Sequence, residues 1–238
     1  MIKVENVTKR YGDKLAVNKA SFEVKEGEIF GFLGPNGAGK TTTIKMIVGL
    51  NEIDEGRITV SGVDVKEDPI GAKKKFAYVP DDPDIYEKMT GYQYLNFICD
   101  VFEIAADKRQ ALIDHYAEVF EIKDDLNDFL GGFSHGMQQK VALIGALIHD
   151  PDVLILDEPM VGLDPKSSYN LKEIMKERCR QGKSVFFSTH VMEVAEKICD
   201  RIAIIKKGEI ITIGTFDEIK KQANDQGSLE KIFLELTE

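Results

Sequence analysis

What the sequence lacks narrows its class first. No stretch of its 238 residues reaches the ~18 uninterrupted apolar residues of a membrane span, and Met1-Ile2-Lys3-Val4-Glu5 lacks the apolar core of a signal peptide. The expected location is therefore the cytosol. Cysteine is scarce: Cys99, Cys179 and Cys199 are odd in number, far apart and without metal-ligand spacing, so they read as reduced packing thiols. Basic residues are outnumbered, with 31 Lys and Arg against 41 Asp and Glu and a formal net charge of -10. A nucleic-acid surface normally shows as a basic stripe, so nucleic acid is not an expected partner. Internal repeats and low-complexity tracts are absent too, and the length fits one large domain or a domain with an insertion.

The most informative stretch that is present is Gly34-Pro35-Asn36-Gly37-Ala38-Gly39-Lys40-Thr41-Thr42, which fits Gly, four residues, Gly-Lys-Thr. A triphosphate concentrates negative charge, so a loop that binds it must turn several backbone N–H groups toward one point, and glycine tolerates the dihedrals and close approach this needs. Lys40 can reach the outer phosphates, and the Thr41 hydroxyl can ligate Mg²⁺ at a helix N-terminus that already favours anions. The surroundings match. The apolar run at 29–33 before the loop reads as a buried strand, and Ile44, Ile47 and Val48 after it lie on one helical face.

Along the chain, alternation at Ile2 and Val4 and again at Phe22 and Val24 predicts antiparallel strands joined by a turn at Gly12-Asp13. Residues 57–61 and 76–80 read as further strands. From 82 to about 130 the period turns helical, with Tyr94, Phe97, Ile98 and Val101 as one expected face and Leu112, Ile113, Tyr116, Val119 and Phe120 as another. Apolar runs at 153–156, 185–187 and 202–205, with helices between them, predict a parallel sheet covered on both faces. Asp164 and Pro165 mark the start of one such helix and Gly182 its end. A hairpin is expected at 206–209, then a helical tail in which Leu229, Ile232, Phe233 and Leu236 form an apolar stripe.

Ligands of open α/β sheets lie beyond the carboxyl ends of the strands, so the polar residues there are the candidates. Asp157 can hold Mg²⁺ through its waters, and Glu158 can orient and deprotonate a water beside a γ-phosphate; strand-capping carboxylates are the plainer alternative. His190 either donates to the γ-phosphate or the attacking water or is a satisfied polar group. Tyr11, at a turn, either stacks on a nucleobase or is an exposed strand tyrosine. Ser134 opens a helix whose N-terminus could meet an anion or could be an ordinary capped junction.

The ordered set resembles the ATP-binding subunits of ABC transporters over nearly the whole chain. The pieces that carry this are Tyr11, the loop 34–42, Ser134-His135-Gly136-Met137, Asp157-Glu158-Pro159, Gly162-Leu163-Asp164 and His190. The resemblance implies an α/β fold of the P-loop NTPase (RecA-like) type, with a mainly parallel sheet, an N-terminal antiparallel β subdomain and a helical insertion. It divides the chain into an ATP-binding core at 1–81 and 141–215, a helical signature subdomain at 82–140 and a tail at 216–238. It implies ATP and Mg²⁺ as cofactors, Thr41, Asp157 and Asp81 as metal ligands, and Glu158, His190 and Lys40 as the catalytic set. It also implies a head-to-tail pair with a second copy or a homologous ATPase subunit, in which Ser134 and Gly136 touch the partner's ATP. A transmembrane permease would dock on the helical insertion, placing the chain on the inner face of the membrane.

Three positions depart from the common family pattern: Asp81 replaces a glutamine, His135 a glycine and Met137 a glutamine. The signature, the run at 158–165 and the tail look most like the antibiotic and multidrug exporter branch. The alternative is a soluble ABC-type ATPase acting on nucleic acid or ribosomes. The net acidity, the single cassette and the short span from Lys40 to Asp157 weigh against it.

Overall fold

The structure is a computed structural model that describes residues 1–222. The expected apolar stripe from Leu229 to Leu236 lies outside the described residues. β1 (Ile2–Tyr11) and β2 (Lys14–Val24) form the antiparallel pair read from the alternation, with Tyr11 opposite Lys14 at the turn. β3 (Ile29–Leu33) is buried throughout and leads through the glycine loop into α1 (Lys40–Ile47). β4 (Glu55–Val60) and the short β5 (Val63–Asp64) return to β1, giving a four-stranded sheet of order β2-β1-β4-β5. α2 (Pro69–Lys73), capped by Asp68, then delivers β6 (Phe76–Val79).

A helical region comes next: α3 (Gly91–Val101), α4 (Ala106–Val119) and α5 (His135–Ile148). The rest alternates as β7 (Val153–Asp157), α6 (Pro165–Arg180), β8 (Ser184–Thr189), α7 (Met192–Ile198), β9 (Arg201–Lys206), β10 (Glu209–Gly214) and α8 (Phe216–Gln222). The large sheet has the order β10-β9-β3-β8-β7-β6. Its strands are parallel except β10, which makes the expected hairpin with β9.

Both faces of β3, β7 and β8 are covered, which is why these strands read as continuous apolar runs rather than alternating ones. On one face, Phe22 of the small sheet stacks on Phe30, Phe32 and Phe186 of the large one, with ring centroids 5.8, 5.3 and 5.7 Å away. Aromatic contacts of this kind add to the burial that joins the two sheets. On the other face, Leu154, Leu156, Val185 and Phe187 share one core with Leu95 of α3, Ile113 of α4 and Leu143 of α5. α5 runs unbroken across residue 140, where the sequence had placed a boundary.

One expected face is corrected. α3 buries Leu95 and Cys99, whereas Phe97 and Val101 are exposed and Tyr94 and Ile98 half-buried. Gly91 explains the rotation. A Cβ there would lie 2.6 Å from Leu126, so this side of α3 sits tightly on the turn before α5 and the aromatic side is left outward.

α6 is held at its start by Asp164, which accepts from the Ser167 N–H at 2.8 Å and pairs with Lys140 of α5 at 2.7 Å. The Lys140 ammonium and then the Ser167 bonds hold its carboxyl well below the ordinary value of 3.8. A depressed folded value means the contribution is fully present above the unfolded value and is lost as pH falls toward the folded one. Asp164→Ala should therefore cost about 1 kcal/mol at pH 7, the ordinary worth of a cap, and the gap to wild type should narrow below about pH 4. Urea unfolding across that range measures both.

Candidate functional site

Three strand ends meet at one edge of the large sheet. Leu33 pairs with Thr189 and Asp157 with Ser188, so the ends of β3, β7 and β8 stand level and the segments leaving them are brought together. Beyond β3 comes the glycine loop. No side chain caps α1, whose N-cap is Gly39 at φ 112. That conformation is one L side chains rarely adopt, and a Cβ there would also lie 2.8 Å from the Ala16 carbonyl oxygen. The first-turn N–H groups of α1 therefore remain open to an anion. The loop is braced from behind, where the Gly208 N–H in the β9–β10 turn donates to the Ala38 carbonyl at 2.8 Å.

Lys40 is buried, and its Nζ donates to the Gly34 carbonyl at 2.7 Å and stands 3.6 Å from Glu158 Oε1. Glu158 has a left-handed backbone, φ 48, which is costly for a residue with its side chain and is found where surroundings enforce it. Here its N–H donates to the Ser188 carbonyl at 3.3 Å and to Ser188 Oγ at 3.1 Å. Its Oε2 lies 3.0 Å from His190 Nδ1, so one carboxylate links the loop lysine to the histidine after β8. Asp157 is fully buried. Ser188 Oγ donates to its Oδ1, while Oδ2 has no partner within the chain. Burial pushes this carboxyl above its ordinary range, against the pull of the Ser188 and Thr41 hydroxyls.

These groups surround a cleft of about 400 Å³. Its wall takes in the loop from 35 to 42 apart from the buried Ala38, together with Tyr11, Asp81 and Glu158. Gly34 and His190 are not in the wall but touch residues that are, Lys40 and Glu158, and Asp157 lies outside it directly before Glu158 in the chain. Tyr11 is half exposed at the mouth, with its hydroxyl accepting from Asn51 Nδ2 at 2.7 Å. Ser134 and Gly136 do not line the cleft. Ser134 Oγ accepts from the Met137 N–H as the cap of α5, and a Cβ on Gly136 would lie 2.3 Å from the Gly162 carbonyl oxygen. His135 Nδ1 stands 3.6 Å from Asp82 Oδ1.

Sequence reasoning missed four residues that complete the wall: Lys14, Leu15, Ala16 and Lys207. The first three belong to the hairpin that carries Tyr11 and could have been found from it. Lys207 has no local signal, because it arrives only through the pairing of β9 with β3.

A level row of parallel strand ends, an uncapped glycine-rich helix start and a buried lysine beside a carboxylate define the P-loop NTPase class of nucleotide-binding domains. The model of the ABC transporter family matches residues 17–161, and the chain belongs to that family. It is 42% identical over 219 residues to the linearmycin resistance ATP-binding protein of Bacillus subtilis, covering 90% of this chain and 69% of that one. It is 40% identical over 213 residues to the Nod factor export ATP-binding protein I of Burkholderia orbicola, covering 90% and 70%. Among solved structures, the ATP-binding subunit of an ABC transporter superposes with a TM-score of 0.95 at 32% identity, covering all of both chains. A dimeric ATP-binding cassette in a post-hydrolysis state with ADP and Pi gives 0.81 at 25% identity, covering 90% of this chain and 98% of that one.

The loop's dependence on Gly39 is testable without any ligand. Gly39→Ala should lower unfolding free energy by about 1 to 3 kcal/mol, since alanine must take the strained φ and crowd Ala16. Equilibrium denaturation that matched wild type would contradict this.

Proposed function

We propose that the chain binds and hydrolyses ATP as the motor subunit of an ABC exporter, working with a separate membrane permease. The observation that carries this is the Lys40–Glu158–His190 chain at the head of the glycine loop. A lysine that neutralises phosphate, a carboxylate placed to take a proton from water and a histidine that orients that carboxylate are what attack on a γ-phosphorus requires. The names of the relatives, one for antibiotic resistance and one for export, support the direction of transport.

The roles follow from position. Tyr11 offers its ring to the base, and the loop from Gly34 through Pro35, Asn36, Gly37, Ala38 and Gly39 to Thr42 wraps the phosphates. Lys40, now turned onto the Gly34 carbonyl and Glu158, would turn to the β- and γ-phosphates. That move releases Glu158 to bind water, with His190 still fixing its outer oxygen.

The residues present fit a Mg²⁺ ion. Asp157 Oδ2 is buried and unpartnered, a state that normally indicates a missing water or ion, and Thr41 and Asp81 supply neighbouring oxygens. Among the described residues no group of three or more His, Cys, Asp or Glu could hold a metal unaided. This suits Mg²⁺, which keeps waters and substrate phosphates in its shell. When bound it neutralises charge on the phosphate oxygens.

Ser134 and Gly136 lie away from their own chain's cleft, so we assign them to the ATP of a second copy or a homologous ATPase subunit packed head to tail. Such a pair is closed by ATP and opened by hydrolysis. The permease would sit in the groove beside α3, where Tyr94 and Ile98 line the wall and Tyr86 and Phe97 stand exposed nearby. Among the described residues no helix is long and apolar enough to cross a membrane, so membrane attachment would come through that permease, on the cytoplasmic face.

Glu158→Gln should keep ATP binding, slow phosphate release by roughly 10²- to 10⁴-fold and accumulate an ATP-bound dimer on size exclusion; wild-type turnover would remove Glu158 as base. Lys40→Ala should abolish ATP binding at millimolar nucleotide, measured by calorimetry. Retained tight binding would undo the phosphate role of the loop.

A further inference from the structure

Tyr78 stands in the edge strand β6 and pairs with Ile155 of β7. Asp157 is two residues beyond Ile155 on the same face, so it is the diagonal neighbour of Tyr78, within reach of a long side chain leaning along the strand. That face packs against α1, whose Ile44 and Ile47 share a core with Ile155 and Phe76. The first turn of α1 carries Thr41, and Tyr78 packs against the same core as Ile44 and Ile47 of that helix.

Two polar atoms at this spot are unexplained by contacts within the chain. The Tyr78 hydroxyl is buried with no hydrogen-bond partner, and so is Asp157 Oδ2. Orphaned buried polar atoms are few in native proteins, and each calls for a water, an ion or a role. Here one is a donor and the other an acceptor. A phenol is an ordinary hydroxyl donor at neutral pH, so no change of protonation is needed for it to donate. The same ring lines the groove that holds Pro80, Ile85 and Tyr94. Any group seated in that groove packs on a side chain whose strand pairs with the one that ends in Asp157.

We propose that Tyr78 is a positioning residue for the metal end of the nucleotide site: its hydroxyl donates to Asp157 Oδ2, directly or through one metal-bound water, once nucleotide and Mg²⁺ are present. This rests on the nucleotide reading of the cleft. The hydroxyl acts through Asp157 and touches no reacting atom, so it governs how tightly the metal is held rather than the bond that breaks.

Tyr78→Phe removes the hydroxyl and keeps the ring. Binding of a fluorescent ATP analogue to the full chain should be measured with EDTA and across a Mg²⁺ series. The variant should match wild type without Mg²⁺ and need roughly ten-fold more Mg²⁺ to reach the midpoint, the size of a hydrogen bond to a charged group. Its melting temperature without ligand should be equal or a few degrees higher, because a buried unpaired hydroxyl has been removed. An unmoved Mg²⁺ midpoint overturns the proposal, and so does an equal loss of affinity with and without Mg²⁺, which would mark a packing role. Wild-type protein that bound no nucleotide would overturn the reading of the cleft as well, whereas normal wild-type binding with an unmoved midpoint overturns this inference alone.

Discussion

The level alignment of three parallel strand ends is the constraint on which everything else in this molecule rests. β3, β7 and β8 are hydrogen-bonded in a register that puts Phe32, Ser188 and Asp157 at one height, with Leu33 and Thr189 one residue beyond. A slip of one residue would turn Asp157 to the opposite face and carry Glu158 away from Lys40. The register is held by burial on both sides: the Phe22, Phe30, Phe32 and Phe186 stack on one, and Leu154, Leu156, Val185 and Phe187 on the other. A rigid core thus carries groups that themselves lie on loops.

The electrostatics of the cleft complement that rigidity. The chain is acidic overall, and at the cleft the buried Lys40 stands 3.6 Å from Glu158, with Asp81 elsewhere in the wall. Lys40 is satisfied by a carbonyl and by Glu158, so its buried charge is paired. On the proposed function, an incoming phosphate would compete with Glu158 for that ammonium. Binding and the freeing of the proposed base are then one event rather than two.

Much of this was legible in the residues. The glycine loop, the hairpin at Gly12-Asp13, the Asp164 cap and the buried runs were all readable because each depends on a few neighbouring residues. The outward face of α3 was not. Tyr94, Phe97, Ile98 and Val101 have helical spacing and good hydrophobicity, but Leu95 and Cys99 have the same spacing, and only the fit of Gly91 against Leu126 selects between the two faces. Periodicity reports that a helix has an apolar side; it does not say which of two such sides meets the core.

The amino-acid sequence by itself determined the local demands: a loop that must take φ 112 at Gly39, strands apolar enough to be covered twice, and carboxylates set directly after a buried run. Tertiary structure alone decided which of these became neighbours. Lys207 reaches the cleft, Glu158 sits between Lys40 and His190, and Tyr78 pairs with Ile155, two residues before Asp157, because strand order places β9, β8 and β7 where it does. The physical reason is that backbone conformation is set by each residue and those beside it. Strand order instead depends on which apolar faces bury one another across long separations, and no short window of residues contains that information.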